Sequence, residues 1–113
     1  MPTRRLDARV AVTTKPLPTD QTVAGSPAAG NVPLAAGAGW EAGVWVHTVG
    51  ASTDVEVDEA FVVLEGRATI ATEGEGSIDV GPGDAVLLEA GARTTWTVHE
   101  PLRKFYVTVP PTG

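Results

Sequence analysis

The sequence has 113 residues, a formal net charge of −6 and no cysteine. A chain of this length forms one domain with a single core. Its negative charge argues against nucleic acid or an anionic membrane surface as a partner, because both attract basic proteins. The lack of cysteine excludes disulfides, thiolate nucleophiles and thiolate metal sites. No apolar run is long enough for a signal peptide or a membrane span, so we expect a cytoplasmic protein.

The first third of the chain differs in composition from the rest. Residues 1–39 are rich in Pro, Ala, Gly and Thr, and their prolines interrupt any long element. One short strand is predicted at residues 8–13, where two valines share a face. This arm either pairs with the sheet edge of a partner subunit or docks loosely. Residues 24–39 show no helical stripe and are predicted to be loop, so the sequence divides into an N-terminal arm and loop (1–39) and a barrel (40–113).

From Trp40 onward the sequence is typical of short β-strands. Strands are predicted at residues 43–49, 53–61, 60–64, 67–72, 77–80, 85–89, 94–99 and 104–109. Glycine-containing turns separate several of them, at residues 65–66, 73–76, 81–84 and 90–92. Because no helical stripe longer than a turn or two is present, the predicted fold class is all-β, either a sandwich or a barrel.

Residues 53–61 alternate between apolar and acidic side chains. One face carries Val55, Val57, Glu59 and Phe61, and the other carries Asp54, Glu56 and Asp58. The apolar face is predicted to point to the core and the acidic face to water. Glu59 is then directed inward, which is costly for a carboxylate unless it is paired, solvated or metal-bound. This makes Glu59 the candidate catalytic acid or base.

Six short motifs, in their order and spacing, resemble the cupin pattern. They are Asp58-Glu59, Leu64-Glu65-Gly66-Arg67, Gly81-Pro82-Gly83-Asp84, Ala90-Gly91, Trp96-Thr97-Val98 and Arg103-Lys104-Phe105-Tyr106-Val107. More narrowly, they resemble the cupin domain family of (S)-ureidoglycine aminohydrolase. The resemblance covers about residues 40–109 and implies a double-stranded β-helix, a small jelly-roll barrel whose lumen holds the ligand or metal.

The resemblance also implies a metal motif, of which this sequence keeps a part. Glu59 and Gly66 match its glutamate and glycine, with six residues between them. Its first two histidine positions hold no histidine, and Thr94 stands where a further histidine is expected. A divalent transition metal needs three or more strong ligands, so no cofactor is predicted. If Mn, Fe, Ni or Zn does bind, the ligands are expected to be Glu59 and His47.

Five further residues are candidates for ligand binding, because they share strand faces directed at the lumen. They are Trp45, His47, Phe61, Thr94 and Trp96. For the tryptophans, core packing is the alternative interpretation, and an indole N–H in a core would need a polar partner. For His47 the alternative is a strand histidine bonded to backbone or water.

Other residues are weaker candidates. His99 has the opposite parity to Trp96 and is predicted to face away from the lumen. Either Tyr106 or its two neighbours face inward, and Arg103-Lys104 is interpreted as a surface basic pair. No serine has a histidine at a recognisable spacing, so no hydrolytic triad is predicted.

Two function classes follow. The first is a metal-free cupin that binds a small organic molecule in its lumen, since such pockets are mostly apolar with few polar anchors. The alternative is a metal-assisted enzyme of the ureidoglycine aminohydrolase type, or a related lyase or isomerase. A homodimer formed through sheet edges is expected, whereas the identity of the ligand cannot be read from the sequence.

Overall fold

The computed structural model describes residues 2–109, which form nine β-strands and no helix. The strands are β1 (Lys15–Pro16), β2 (Thr22–Ala24), β3 (Ala28–Gly37), β4 (Trp40–His47), β5 (Gly50–Val55), β6 (Asp58–Thr72), β7 (Gly76–Val80), β8 (Ala85–Leu88) and β9 (Arg93–Val109). The predicted all-β class is confirmed. Across residues 2–109, no helix has the length and apolar character needed to cross a membrane.

All strand pairs are antiparallel and belong to one curled sheet. The order β1-β3-β4-β9-β5-β2 forms one run, and β6 joins it through β9 while also pairing with β7 and β8. The two longest strands, β6 and β9, pair along most of their length, from Asp58 opposite Val109 to Thr72 opposite Thr94. The first half of β9 also pairs with β5 and its second half with β4, so β9 links the two walls of the barrel.

The core lies between these walls. Alternate residues of β6 and β9 point inward, as expected for strands with one buried face. The core members are Phe61, Val63, Ala68, Ile70, Val80, Leu88, Trp96, Val98, Leu102 and Tyr106. Most of them are carried by β6 and β9, so these two strands both build the core and position the site.

The predicted turn at Glu65-Gly66 is wrong, because β6 continues through it. The pairing of β6 with β9 becomes irregular between Val63 and Ala68 instead. Gly66 has a φ of +88°, and a Cβ atom there would overlap the carbonyl oxygen of Pro101. Glycine therefore allows both the left-handed backbone and the close approach of β9, and it bends the strand without ending it.

The predicted single strand at residues 53–61 is also wrong. Strand β5 ends at Val55 and β6 begins at Asp58, and the backbone of Glu56 is held between them by Ala92 and Gly91. At this break Val55 and Glu56 take the faces opposite to those of a continuous strand, whereas Glu59 and Phe61 still face inward. Val55 is 57% exposed and Glu56 only 8% exposed. The assignment of Glu56 to the solvent face must therefore be corrected.

The N-terminal third is more ordered than expected. The loop predicted at residues 24–39 contains β3, which pairs with β4 from Ala29–His47 to Gly37–Trp40. Pairing with a neighbouring strand outweighs the weak strand propensity of its Ala and Gly residues. In contrast, residues 8–13 form no strand. The Arg103 guanidinium donates hydrogen bonds to the carbonyl oxygens of Ala8 and Val10, at 3.2 and 2.9 Å, and ties this segment to its own barrel.

Candidate functional site

A cavity of about 280 Å³ lies inside the barrel, lined mainly by residues of β3, β4, β5 and β9, with Glu59 from β6. Its lining includes two indole rings, one imidazole and one ammonium group. Four carboxylates also line it, those of Glu41, Asp54, Glu56 and Glu59. The cavity therefore combines aromatic walls with a concentration of charge that a packed core does not have, and it is more polar than the sequence led us to expect.

Lys104 carries the ammonium group and is the central charged residue of the cavity. Its Nζ lies 2.6 Å from Oε2 of Glu59, and the side chains of the two residues are 6% and 11% exposed. The same Nζ lies 4.4 Å from the ring centroids of Trp45 and Phe61 and 4.7 Å from that of Trp96. Lys104 thus forms a buried ion pair inside a box of three aromatic rings, where cation–π attraction adds to the charge pairing.

The alternation of β9 places Lys104 inside. Lys104 shares its parity with Leu102 and Tyr106, both buried, whereas Arg103 lies on the other face. Across the sheet Lys104 is opposite Trp45 on β4 and Val63 on β6. The interpretation of Arg103-Lys104 as a surface pair is therefore wrong for Lys104.

Glu56 is a second buried carboxyl group in the cavity. Its Oε2 accepts hydrogen bonds from Thr94 Oγ1 at 3.0 Å and from Trp96 Nε1 at 3.2 Å. Burial raises the pKa of Glu56, and the negative charge of Asp54 adds to the effect, while these two hydrogen bonds and the Lys104 charge oppose it. Glu56 therefore holds its proton more tightly than an ordinary glutamate.

His47 is fixed in one tautomer by its two partners. Nδ1 lies 2.6 Å from the carbonyl oxygen of Thr48, which can only accept, so Nδ1 carries the hydrogen. Nε2 lies 2.8 Å from Ser52 Oγ and accepts its hydrogen bond. Burial lowers the pKa of His47, and the positive charge of Lys104 lowers it further. The hydrogen bond to Thr48 acts in the opposite direction. The imidazole is thus held neutral.

Tyr106 faces inward, and its neighbours on β9 do not, which settles the alternative left by the sequence. Its hydroxyl donates to Glu41 Oε2 at 3.0 Å and accepts from Asn31 Nδ2 at 2.9 Å. Burial raises the pKa of Tyr106, and the nearby charge of Glu41 raises it further. The hydrogen bond from Asn31 lowers it in part. Gly43 leaves room for this hydroxyl, since a Cβ atom there would come within 2.7 Å of it.

The structure brings the sequence-predicted residues together around this cavity. Four of them line it directly: Trp45, His47, Glu59 and Trp96. Phe61 lies below the Lys104 ammonium and packs against Trp96, with ring centroids 5.6 Å apart. Thr94 does not line the cavity, but its hydroxyl donates a hydrogen bond to the Glu56 carboxyl group. His99 is exposed and bonded to Thr69, so it faces away from the lumen as predicted.

Three important residues were missed by the sequence analysis. Lys104 could have been found from its shared parity with Leu102 and Tyr106 on β9. Nothing local signals the inward position of Glu56, which depends on backbone bonds to Ala92 and Gly91. Ser52 meets His47 across the connection between β4 and β5, a contact that sequence spacing alone does not reveal.

The residues present do not fit the divalent metal that the cupin resemblance implies. Glu59 is engaged by an ammonium group, and a second cation beside it would be repelled. Both ring nitrogens of His47 are already used, by Thr48 and Ser52. Among residues 2–109, no three or more His, Asp or Glu side chains are grouped to hold a metal ion. The predicted metal ligands Glu59 and His47 therefore have no third ligand beside them among residues 2–109.

Several solved structures are similar to this chain. A Rhizobium leguminosarum protein of unknown function is 28% identical with a TM-score of 0.67, over 74% of this chain and 82% of that one. A Pseudomonas syringae protein of unknown function from the DUF861 family is 27% identical with a TM-score of 0.77. That match covers 90% of this chain but only 46% of the longer protein. The Clostridium difficile EutQ protein, 18% identical with a TM-score of 0.66 over 74% of this chain and 64% of that one, shows the fold alone.

No curated protein matches the chain. The narrower resemblance to the ureidoglycine aminohydrolase cupin domain stays a prediction. A family model described as the EutQ-like cupin domain matches residues 34–106, well over half of the sequence. The chain therefore belongs to the family of EutQ-like cupin domains.

Proposed function

We propose that this protein binds a small polar organic molecule in its barrel and needs no metal cofactor to do so. The observation that carries the proposal is the Lys104–Glu59 ion pair, 2.6 Å long, set among three aromatic rings beside a cavity. The cavity measures about 280 Å³. Sites for drug-sized ligands measure roughly 300–1,000 Å³, so the ligand is expected to be smaller than these.

The charges of the lining indicate the class of ligand. Within the described chain, the lining carries four carboxylates but a single ammonium group, that of Lys104. Glu59 uses that ammonium, so Glu41, Asp54 and Glu56 have no cationic side chain among the described lining residues left to pair with. A ligand that donates hydrogen bonds, such as an amine, amide or polyhydroxyl compound, would add to the hydrogen bonds that these carboxylates already accept. Trp45 and Trp96 would contact its apolar part.

Thermal unfolding tests this proposal. Amines, amides, sugars and carboxylates are screened against the metal-free protein, and binding raises the melting temperature with ligand concentration. At a concentration 100 times the Kd, the expected stabilisation is about 2.7 kcal/mol. Donor-bearing compounds are expected to give this response, while simple carboxylates give none.

Variants of cavity residues test where the ligand binds. Glu59→Gln and Trp96→Phe change the cavity and are expected to weaken the response, whereas His99→Gln changes only the outer face and leaves it intact. Equal responses in all three variants would place the ligand elsewhere. A response to Mn, Fe, Ni or Zn, with none to any organic compound, would instead favour the metal-assisted enzyme of the ureidoglycine aminohydrolase type.

A further inference from the structure

We propose that Ser52 and His47 form a nucleophile–base pair that attacks small activated esters, an acyl-transfer activity beyond the proposed binding function. His47 is the last residue of β4 and Ser52 lies in β5, and a short connection between the strands brings them together. Both residues line the cavity, so the pair lies in the wall of the lumen. Neither residue has a role in pairing Lys104 with Glu59.

The hydrogen bonds assign a role to each group. The Thr48 carbonyl oxygen, 2.6 Å from Nδ1, fixes the hydrogen on that nitrogen and leaves a lone pair on Nε2. Ser52 Oγ, 2.8 Å from Nε2, must then be the donor. A hydroxyl that donates to a base, with the base oriented by a third group, is the arrangement of an activated nucleophile. Here a backbone carbonyl orients the imidazole, where many enzymes use a carboxylate.

Burial and hydrogen bonding favour the same assignment. His47 and Ser52 are 1% and 6% exposed, so bulk water competes little for their hydrogen bond. The imidazole offers a lone pair at Nε2, as general-base catalysis requires, because its hydrogen lies on Nδ1 and bonds to the Thr48 carbonyl oxygen.

The reaction balances with water as the co-reactant. Ser52 Oγ attacks the carbonyl carbon and forms an oxygen–carbon bond, while its proton passes to His47 Nε2. The bond from that carbon to the leaving oxygen breaks, and His47 returns the proton to the leaving oxygen. Water then hydrolyses the acyl-serine in the same way, releasing the carboxylic acid and restoring the Ser52 hydroxyl.

The test uses p-nitrophenyl acetate, whose acyl group is small. The wild-type protein is expected to release p-nitrophenol in a burst of one equivalent per chain, and peptide mass spectrometry should find the acetyl group on Ser52. Ser52→Ala should lose the burst. His47→Gln keeps an acceptor for the serine hydroxyl but no base, and it should slow acetylation roughly 100-fold or more. Ser77→Ala, which alters an exposed serine on β7, serves as the control and should behave as wild type.

Three results would overturn the proposal. They are an unchanged burst in Ser52→Ala, acetylation found only on amines, and full activity in His47→Gln. Circular dichroism of each variant, with tertiary signals matching wild type, shows that a loss of activity is not a loss of fold. The ester assay involves none of the compounds in the thermal screen, so failure of this proposal and failure of the binding proposal are separate outcomes.

Discussion

Replacement of Lys104 by methionine removes the buried ammonium group and keeps a side chain of similar shape. Glu59 is then left mostly buried without its partner, and three aromatic rings lose the cation they enclose. Removal of one member of a buried ion pair typically costs about 3–5 kcal/mol, because the remaining charge is unpaired or must be neutralised. A domain of this size has a total stability of roughly 5–15 kcal/mol, so the loss should be a large part of it.

Urea unfolding followed by tryptophan fluorescence measures the effect, since Trp45 and Trp96 both border the Lys104 ammonium. With an m-value of about 2 kcal/mol/M, the expected loss lowers the midpoint by roughly 1.5–2.5 M. Arg67→Met is the control. It breaks an ion pair with Glu100 of 3.4 Å whose side chains are 60% and 57% exposed, and such surface pairs contribute about 0–1 kcal/mol.

The double variant Lys104→Met/Glu59→Leu gives the sharper comparison. Replacing a whole buried ion pair with apolar side chains is often neutral or stabilising, so the double variant should be more stable than Lys104→Met alone. Our reasoning would be refuted if Lys104→Met cost no more than Arg67→Met. It would also be refuted if the double variant lost the sum of its two single losses, since interacting residues are not additive.

Three further predictions concern pH, backbone and assembly. Burial raises the pKa of Glu56 above its ordinary 4.5, so the wild-type protein should lose stability relative to Glu56→Gln as the pH rises from 4.5 through that raised pKa. Urea titrations across this range with parallel pH profiles would contradict this. Gly66→Ala should cost more than the roughly 1–2 kcal/mol of placing a non-glycine residue in the left-handed region, because its Cβ atom would also meet Pro101. Gly74→Ala, with a φ of +85° and open space around it, should cost only that amount. Equal losses of unfolding free energy in urea would count against the steric argument. Light scattering should give the mass of two chains for the predicted homodimer, and a one-chain mass at micromolar concentration would reject it.

Strand alternation predicted much of the barrel because its strongest signals are local. Residues 67–72 and 104–109 lie within β6 and β9, and Glu59 and Trp96 lie at the cavity as their parity suggested. In contrast, β3 has little intrinsic tendency to form a strand and depends on pairing with β4. That pairing is a tertiary contact, which composition does not reveal.

The charged interior could not be predicted for a different reason. A lysine is rarely buried unless it is paired, and the partner of Lys104 lies 45 residues away in the sequence. The inward position of Glu56 depends on a break in the strand, which backbone bonds to Ala92 and Gly91 maintain. In both cases contacts with residues distant in the sequence place inside a side chain that the local sequence pattern assigns to the surface.

The measurement that tests the central claim most directly is elemental analysis of protein purified without chelator. If the Lys104 ammonium is the cation that pairs with Glu59, Mn, Fe, Ni and Zn should each be present far below one equivalent per chain, in wild type and in Glu59→Gln alike. One equivalent of metal in the wild-type protein, lost in Glu59→Gln, would contradict the account.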